Sequence, residues 1–306
     1  HVQWLLAGGV WISVRRGFYT HRDHWEALDE RRGRRLLVVR AVHRGLLRPH
    51  VITQTSGALV HDLPFLHPRD RLVHITKYGA PRARVRNGVK HHQSRYRHDD
   101  VRQIDGLPVL GLARTALDIA REHGFAAGVC AIDAARQRGV TLAELWAARE
   151  AMWHWPRVTV VDQAISFSDP GAESIGESLS RILVDELGLG PIETQFELRD
   201  PTGWARCDLR IGRHVFEFDG LVKLRPAQRG GVALRSPEEV VAAEKRRQDW
   251  VCGFHLGMSR ITWPELWGGQ RELTKHRLRR EYAATAARFG TSIADLAPYI
   301  VARQAS

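Results

Sequence analysis

The sequence predicts an α+β first half followed by an α/β domain whose mixed central sheet is flanked by helices. Stretches with apolar residues at helical spacing lie between short stretches in which apolar and polar residues alternate, as expected for helices and half-buried strands. The charge also changes along the chain. Residues 1–155 hold 25 Lys and Arg against 14 Asp and Glu, whereas residues 156–306 hold 21 against 20.

Length and composition indicate a folded chain of several domains. The 306 residues are 43% hydrophobic and 26% charged, which is typical of globular proteins. This length exceeds the usual size of one domain. The composition changes around residues 153–157, so we predict three regions that span residues 1–50, 51–155 and 156–306.

The cysteines and the apolar stretches bear on location. Three cysteines lie far apart, without metal-ligand spacing: Cys130, Cys207 and Cys252. We expect them to be buried thiols in a reducing cytoplasm. No apolar run has the length of a membrane span, and the first apolar stretch precedes its Arg15-Arg16 pair, the reverse of a signal peptide. The sequence thus predicts a cytoplasmic protein without a membrane partner.

The charge predicts a polyanionic partner. The net charge is +12 and the isoelectric point is near 10.4. We expect nucleic acid, and DNA first, because no basic amphipathic helix of the membrane-surface type is present. Since nearly all of the excess lies in residues 1–155, we expect that half to bind the polyanion.

The first region combines a hairpin with an arginine cluster. Val10 to Thr20 alternates and turns at Arg16-Gly17, which is typical of a small wing hairpin. A helix-favouring stretch follows from Arg22 to Arg44. It holds four clustered arginines: Arg31, Arg32, Arg34 and Arg35. Two interpretations stay open, contact with DNA phosphates or a solvated charged face.

The second region contains a basic hairpin. Arg82, Arg84 and Arg86 alternate with other residues and lead into Asn87-Gly88, a strong hairpin turn. Period two places the three arginines on one face, and we expect Lys90 to be available across the turn. Such a ribbon suits the phosphate backbone of DNA. The alternative is an edge hairpin that its charge keeps soluble.

Further elements complete the first half. We predict a helix from Ser56 and a strand from Leu72 to Ile75, followed by core helices over 110–121 and 124–137. The spacing of Thr141 and Glu144 is that of a capping box, which starts another helix.

The second half alternates helices and strands. We predict a helix from Asp169-Pro170 to about Leu187, with Glu177 off its apolar stripe. Strands over 193–199 and 204–211 follow, and Pro237 opens a later helix that carries Lys245, Arg246 and Arg247. A strand over 259–263 and helices over 270–289 and 293–303 end the chain.

Three acids meet in one short hairpin between these helices. Asp208 lies on its first strand, and Glu217 and Asp219 lie on one face of its second strand, beyond a Gly212-Arg213 turn. Carboxylates are the ligands that Mg²⁺ prefers, and Mg²⁺ usually takes one or two of them from a protein. The two interpretations are a divalent-cation site and a solvated hairpin with polar outward positions.

The second half resembles the very-short-patch-repair-like endonucleases of the PD-(D/E)XK nuclease fold. The resemblance is carried by the segments GAESIGESLSR, ARCDLRI and FEFDG, in this order, and covers residues 165–268. It implies that Asp208 and Glu217 bind Mg²⁺ or Mn²⁺ and that Glu177 is a third, helix-borne carboxylate. Arg246 and Arg247 would then steady the phosphate.

One departure concerns the lysine of the family's catalytic element. Its usual position holds Asp219 here. Lys223, in the following loop, and Lys245, in the next helix, are the two candidates to replace it beside the attacking water.

The first half resembles the AbiEi-type antitoxins and regulators of abortive-infection systems. The segments RRGFYT, SGALVHDLP and IDGLPVLGLARTALDIA carry this resemblance over most of residues 1–150. It implies a winged helix on operator DNA, a mixed α+β domain, and a cognate nucleotidyltransferase-type toxin as partner. Because the chain begins at His1, close to the wing, we expect the winged helix to be partial.

Two hypotheses follow for the whole chain. The first is a metal-dependent endonuclease that its basic half delivers to DNA. The second is a DNA-binding regulator or antitoxin in which the nuclease-like domain is a scaffold without catalysis. An RNA-processing enzyme would use the same charges and stays open as a third.

Overall fold

The computed structural model describes residues 2–67, 71–77, 82–220 and 237–301. Two compact units divide the chain, His1–Pro170 and Gly171–Ser306. The division lies later than the predicted boundary at residue 155, because a helix over Val158–Phe167 packs against three helices of the first unit. Among the described residues, no helix is long and apolar enough to cross a membrane.

The first unit contains eight α-helices among its described residues. Their bounds are α1 Val2–Ala7, α2 Arg22–Ala27, α3 Gly33–Gly45, α4 Gln54–His61, α5 Leu112–His123, α6 Phe125–Gln137, α7 Leu142–Glu150 and α8 Val158–Phe167. The predicted capping box is confirmed at the start of α7, where the Thr141 hydroxyl and the Glu144 carboxylate each accept the other's backbone N–H. Helices α5, α6 and α8 pack on one another through residues such as Ile119, Val129 and Ile165, which are fully buried.

The strands of the first unit form two sheets. Their bounds are β1 Trp11–Arg15, β2 Phe18–His21, β3 Val51–Ile52, β4 Val73–Thr76, β5 Arg84–Arg86, β6 Val89–His92, β7 Val101–Ile104 and β8 Leu107–Leu110. The predicted wing is present as the β1–β2 hairpin. The other strands form a six-stranded mixed sheet in the order β5-β6-β4-β3-β8-β7. The arginine hairpin β5–β6 is therefore at one edge of this sheet.

The second unit is built on a four-stranded mixed sheet. Its elements are α9 Ile175–Asp185, β9 Glu193–Asp200, β10 Gly203–Ile211, β11 His214–Asp219, α10 Pro237–Gly253, β12 Gly257–Thr262 and α11 Gly268–Phe289. The spatial order is β12-β11-β10-β9, with antiparallel pairs except for the parallel pair β11–β12. Helix α10 thus belongs to the crossover between the two parallel strands.

Helices cover both faces of this sheet. On one face, Val251 of α10 packs with Phe196, Cys207 and Val215 in an apolar core. On the other face, α9 approaches β11 closely: a Cβ atom on Gly176 would lie 2.0 Å from the Phe218 ring. Glycine at this position therefore allows the close contact of α9 with the sheet.

Two local predictions for the second half differ from the structure, and one helix was not predicted. The helix predicted from Asp169-Pro170 begins at Ile175 instead, because Ser174 is its N-cap and accepts the N–H of Glu177. The segment after α11 is not a long helix: residues 294–296 form one 3₁₀ turn, and Ile300 forms a β-bridge with Leu198. Helix α8 was not predicted. The core that α5 and α6 offer explains why that apolar stretch is helical and buried.

Candidate functional site

A polar pocket lies at the end of β11 in the second unit. Its volume is about 310 Å³. Strands β10 and β11 and helix α10 contribute most of its walls. The described residues that line it are Asp208, Glu217, Phe218, Asp219, Gly220, Val241, Glu244, Lys245, Arg247, Gln248 and Arg260. The three acids of the hairpin therefore face one space, beneath the helix that carries the predicted basic residues.

Glu217 is buried and ion-paired. Only 7% of the residue is exposed. Arg247 Nη2 lies 2.6 Å from Oε1 and 2.7 Å from Oε2 of Glu217. Burial raises the pKa of Glu217 above its ordinary value; Arg247 opposes this rise, and Asp208 adds to it. A solvated hairpin with outward acids is thus the wrong interpretation at this position.

Asp208 lies where the pairing of β10 with β11 stops. The register runs from Ile211–His214 to Leu209–Phe216. Beyond it, the N–H of Phe218 donates to Asp208 Oδ2 at 2.8 Å. The Asp208 carboxylate is therefore fixed by a backbone donor of the neighbouring strand while it lines the pocket beside Glu217.

Asp219 lies on the rim of the pocket. Its carboxylate is 3.8 Å from Arg260 Nη1, and about a third of its side chain is exposed. Arg260 in turn binds Glu244 of α10 at 2.7 Å. This pair of contacts connects the pocket end of β12 with α10.

Of the two candidate lysines, Lys245 is exposed and lines the pocket. Lys223 lies outside the described residues. Arg246 is exposed and is not among the lining residues, whereas Arg247 is held by Glu217. Of the predicted cations on α10, Lys245 and Arg247 therefore reach the acids' pocket.

The Glu177 carboxylate is held by three hydrogen bonds. Its carboxylate accepts the N–H of Glu173 at 2.8 Å, the hydroxyl of Ser174 at 2.8 Å and the side-chain amide of Gln195 at 3.1 Å. It thereby completes the cap of α9, and it is not among the residues lining the pocket. Over the described part of the chain, no three His, Cys, Asp or Glu side chains form a metal-binding group.

Sequence reasoning missed two members of this site. Glu244 and Arg260 form the ion pair at the rim. Cys207, predicted to be a buried thiol, is fully buried next to Glu217, and its burial raises the pKa of its thiol. A signal for Glu244 was present: it lies three residues before Arg247, a helical neighbour spacing. No sequence signal indicated that Arg260 lies near these residues, since the parallel pairing of β12 with β11 is a tertiary feature.

In the first unit, the arginine cluster near α3 is engaged within the protein. Arg32 Nε lies 2.6 Å from Asp62, and Arg34 donates to Glu30 and lies over the Trp25 ring. Arg35 lies 2.6 Å from His67 Nδ1. Arg31 is exposed. Three of the four predicted DNA contacts are thus also structural contacts of α3.

The arginine hairpin has the predicted shape. Arg82, Arg84 and Arg86 are exposed, and Asn87 and Gly88 adopt φ values of 50° and 71°, the left-handed region that this turn requires. The register opposes Val85 to Lys90. Lys90 therefore lies on the face opposite the arginines, where it is ion-paired with Glu122. It does not belong to the arginine face.

Comparisons with known proteins found no match: no family model, no curated protein and no solved structure matches this chain.

Proposed function

We propose that the second unit binds a divalent cation, Mg²⁺ or Mn²⁺, with Asp208 and Glu217 and hydrolyses phosphodiester bonds in DNA. The observation that carries this proposal is the shared pocket, in which both carboxylates face Lys245 of the crossover helix. The order α9-β9-β10-β11-α10-β12 also agrees with the PD-(D/E)XK fold that the sequence segments resemble.

The donor chemistry of the pocket fits a hard cation. Asp208 and Glu217 supply carboxylate oxygens from neighbouring strands, and one or two protein carboxylates are what Mg²⁺ usually takes. Asp208 raises the pKa of Glu217, so the two negative charges repel each other. A bound cation would relieve this repulsion. When bound, it would polarise the scissile phosphate and lower the pKa of an attacking water.

The remaining residues have separate roles in the proposal. Lys245 would orient the attacking water. It would thus replace the usual catalytic lysine of the fold, whose position Asp219 occupies in this chain. Glu177 keeps α9 in place through its cap contacts rather than as a ligand. Arg247 holds the Glu217 carboxylate and balances its charge until a cation is bound.

The exposed arginines of the first unit would supply affinity for the DNA backbone. Arg82, Arg84 and Arg86 extend from the edge of the six-stranded sheet. If all three contact phosphates, changing them to glutamine should reduce the slope of log affinity against log salt by about 2 to 3. An unchanged slope would remove the hairpin from the DNA-binding surface.

The test of the nuclease combines cleavage with metal binding. Duplex and single-stranded DNA would be incubated with the full chain and Mg²⁺ or Mn²⁺, and Mn²⁺ binding would be followed by calorimetry. We expect Asp208→Asn and Glu217→Gln to lose both cleavage and Mn²⁺ binding. Glu193→Gln is the matched control, because Glu193 lies on the same sheet but outside the pocket and pairs with Arg210. Cleavage that persists in both pocket variants would overturn these assignments.

A second candidate function is DNA binding without cleavage, as a regulator or antitoxin with a nucleotidyltransferase-type toxin as partner. One observation favours it: Arg247 already places a cation on both oxygens of Glu217. Wild-type protein that binds DNA with a steep salt dependence, but neither cleaves it nor binds Mn²⁺, would support this candidate over the nuclease.

A further inference from the structure

A group of basic side chains, three of them cations, lies on one face of the six-stranded sheet in the first unit. In the β5–β6 pair, Arg84 is opposite His91, and in the β6–β4 pair, His91 is beside Ile75. Lys77 is two residues beyond Ile75, so it continues along the same face. Val51 pairs with Thr76, so the next step of this register places His50 beside Lys77. We call Arg48, His50, Lys77, Arg84 and His91 the cationic face.

The charges on this face oppose one another. Burial lowers the pKa of Lys77, and the nearby cations Arg84 and Arg48 lower it further. Burial is also the largest cause that lowers the pKa of His91, and the charges of Lys77 and Arg84 lower it further. The charged groups with the largest effects on both side chains are all cations. Among the described residues, the fold thus brings together like charges without a carboxylate prominent among them, an arrangement that an anion would stabilise.

The two histidines of this face differ in their hydrogen bonding. Both ring nitrogens of His50 are used within the protein: Nε2 lies 3.1 Å from His43 Nδ1, and Nδ1 lies 2.9 Å from the Arg48 carbonyl oxygen. His91 is 6% exposed. Its Nδ1 is buried and has no hydrogen-bond partner within the described residues. Leaving such a nitrogen unpaired is unfavourable, so His91 is the ring that a ligand oxygen would satisfy.

We infer that the cationic face binds a phosphate group, with Lys77 and Arg84 contacting its oxygens and His91 donating from the sheet beneath. A phosphate matches this chemistry because it accepts several charge-assisted hydrogen bonds and carries enough negative charge to offset clustered cations. His50 is a positioning residue, since its own nitrogens hold the segment that bears Arg48. The ligand is either free phosphate or a backbone phosphate of DNA. The site belongs to the first unit, so it does not depend on metal-dependent cleavage in the second.

The test uses the full chain with its histidine rings labelled for NMR. Inorganic phosphate and a short duplex DNA are the two probes, each titrated separately. We expect saturable shifts of the His91 ring resonances. Movement with DNA alone would assign the backbone as the source, and movement with inorganic phosphate alone would assign a free phosphate. If neither probe moves the His91 resonances, the inference is wrong.

Three variants separate a defined site from a general effect of charge. Lys77→Gln and Arg84→Gln should each weaken binding of the active probe about tenfold, since each removes a charge-assisted contact. Arg102→Gln removes the same charge from β7, at the opposite edge of the same sheet, and should change affinity less than about twofold. Equal losses in all three variants would overturn the site in favour of diffuse attraction. This outcome is distinct from failure of the nuclease, which the Mn²⁺ and cleavage assays report.

Discussion

The two units bury ionisable groups beside a sheet but balance their charge in opposite ways. In the second unit, Glu217 is 7% exposed and bound by the guanidinium of Arg247. In the first unit, His91 is 6% exposed and its strongest electrostatic neighbours are Lys77 and Arg84. The first arrangement is satisfied within the protein, whereas the second leaves like charges together. Removing a positive charge should therefore destabilise the second unit, where it leaves Glu217 unbalanced, and stabilise the first unit, where it relieves repulsion.

The largest expected effect comes from removing the Arg247 cation in the second unit, where Arg247 and Glu217 balance each other. Arg247→Met leaves Glu217 buried without a counter-charge, which should lower the free energy of unfolding by about 3 kcal/mol at neutral pH. Urea denaturation of the full chain would measure it. Arg260→Met is the matched control: Arg260 binds the less buried Glu244 and should cost under about 1 kcal/mol.

The pH dependence of Arg247→Met sharpens this test. Burial already raises the pKa of Glu217, and loss of Arg247 raises it further. The free-energy cost of keeping Glu217 ionised in the folded protein applies fully above its folded pKa. This cost decreases as the pH falls and is absent below the unfolded pKa of 4.5. The gap between variant and wild type should therefore narrow in acid. A gap that is independent of pH would mean that packing, rather than charge, causes the loss.

A second prediction concerns a buried histidine whose ring nitrogens are both hydrogen-bonded and whose burial outweighs the opposing effect of Glu281 on its pKa. His214 is 2% exposed, and its ring nitrogens lie 2.7 Å from Thr285 Oγ1 and 2.8 Å from Ser259 Oγ. Burial lowers its pKa from 6.5 to about 4. Between these values the unfolded chain binds a proton that the folded chain does not, so stability falls as pH decreases through this window.

The variant His214→Gln should remove this dependence. At about 1.4 kcal/mol per pKa unit, the wild type should lose about 3 kcal/mol more than the variant between pH 7 and pH 4. Denaturation curves of both proteins across this range would give the difference in their free energies of unfolding. Because both proteins contain the same Asp and Glu residues, the contributions of those acids cancel in this difference. Parallel curves would mean that the pKa of His214 is the same in the folded and the unfolded chain.

The parts of the molecule that were predicted correctly depend on local chemistry. Asn87-Gly88 specifies its turn because these residues tolerate positive φ, and Thr141 caps α7 through a residue three positions away. The β7–β8 hairpin was missed although Asp105-Gly106 provides the same kind of signal, with φ values of 50° and 72°. Asp105-Gly106 therefore also specifies its turn through local chemistry.

The burial of the acids could not be predicted from the sequence. Alternation in β11 identifies a face with Glu217 and Asp219, but it does not reveal that α10 covers this face. The ion pair with Arg247 joins residues 30 positions apart and depends on that crossover. The role of Glu177 as part of a cap was likewise hidden, because the start of α9 was placed at Asp169-Pro170 rather than at Ser174.

A smaller effect should compare the helix caps of the two units. Ser174→Ala removes the hydroxyl that accepts the N–H of Glu177 and donates to its carboxylate. Thr141→Ala removes the equivalent group from α7 in the first unit. Each should lower the free energy of unfolding by about 1 kcal/mol. A much larger loss for Ser174→Ala, measured by the same denaturation assay, would show that Glu177 does more than complete a cap.

The smallest expected effect is a gain in stability, and it tests whether the first unit leaves its like charges unbalanced. Lys77→Met keeps an apolar stem on the cationic face but removes one of its charges, so it should raise the free energy of unfolding by about 0.5 kcal/mol. Because salt screens repulsion, the gain should be larger at low ionic strength and should shrink as salt is added. Phosphate, by occupying the face, should stabilise the wild type more than the variant and so reduce or reverse the gain. A loss of stability at every salt concentration would mean that Lys77 has a partner within the protein and that its charge, like that of Glu217, is balanced internally.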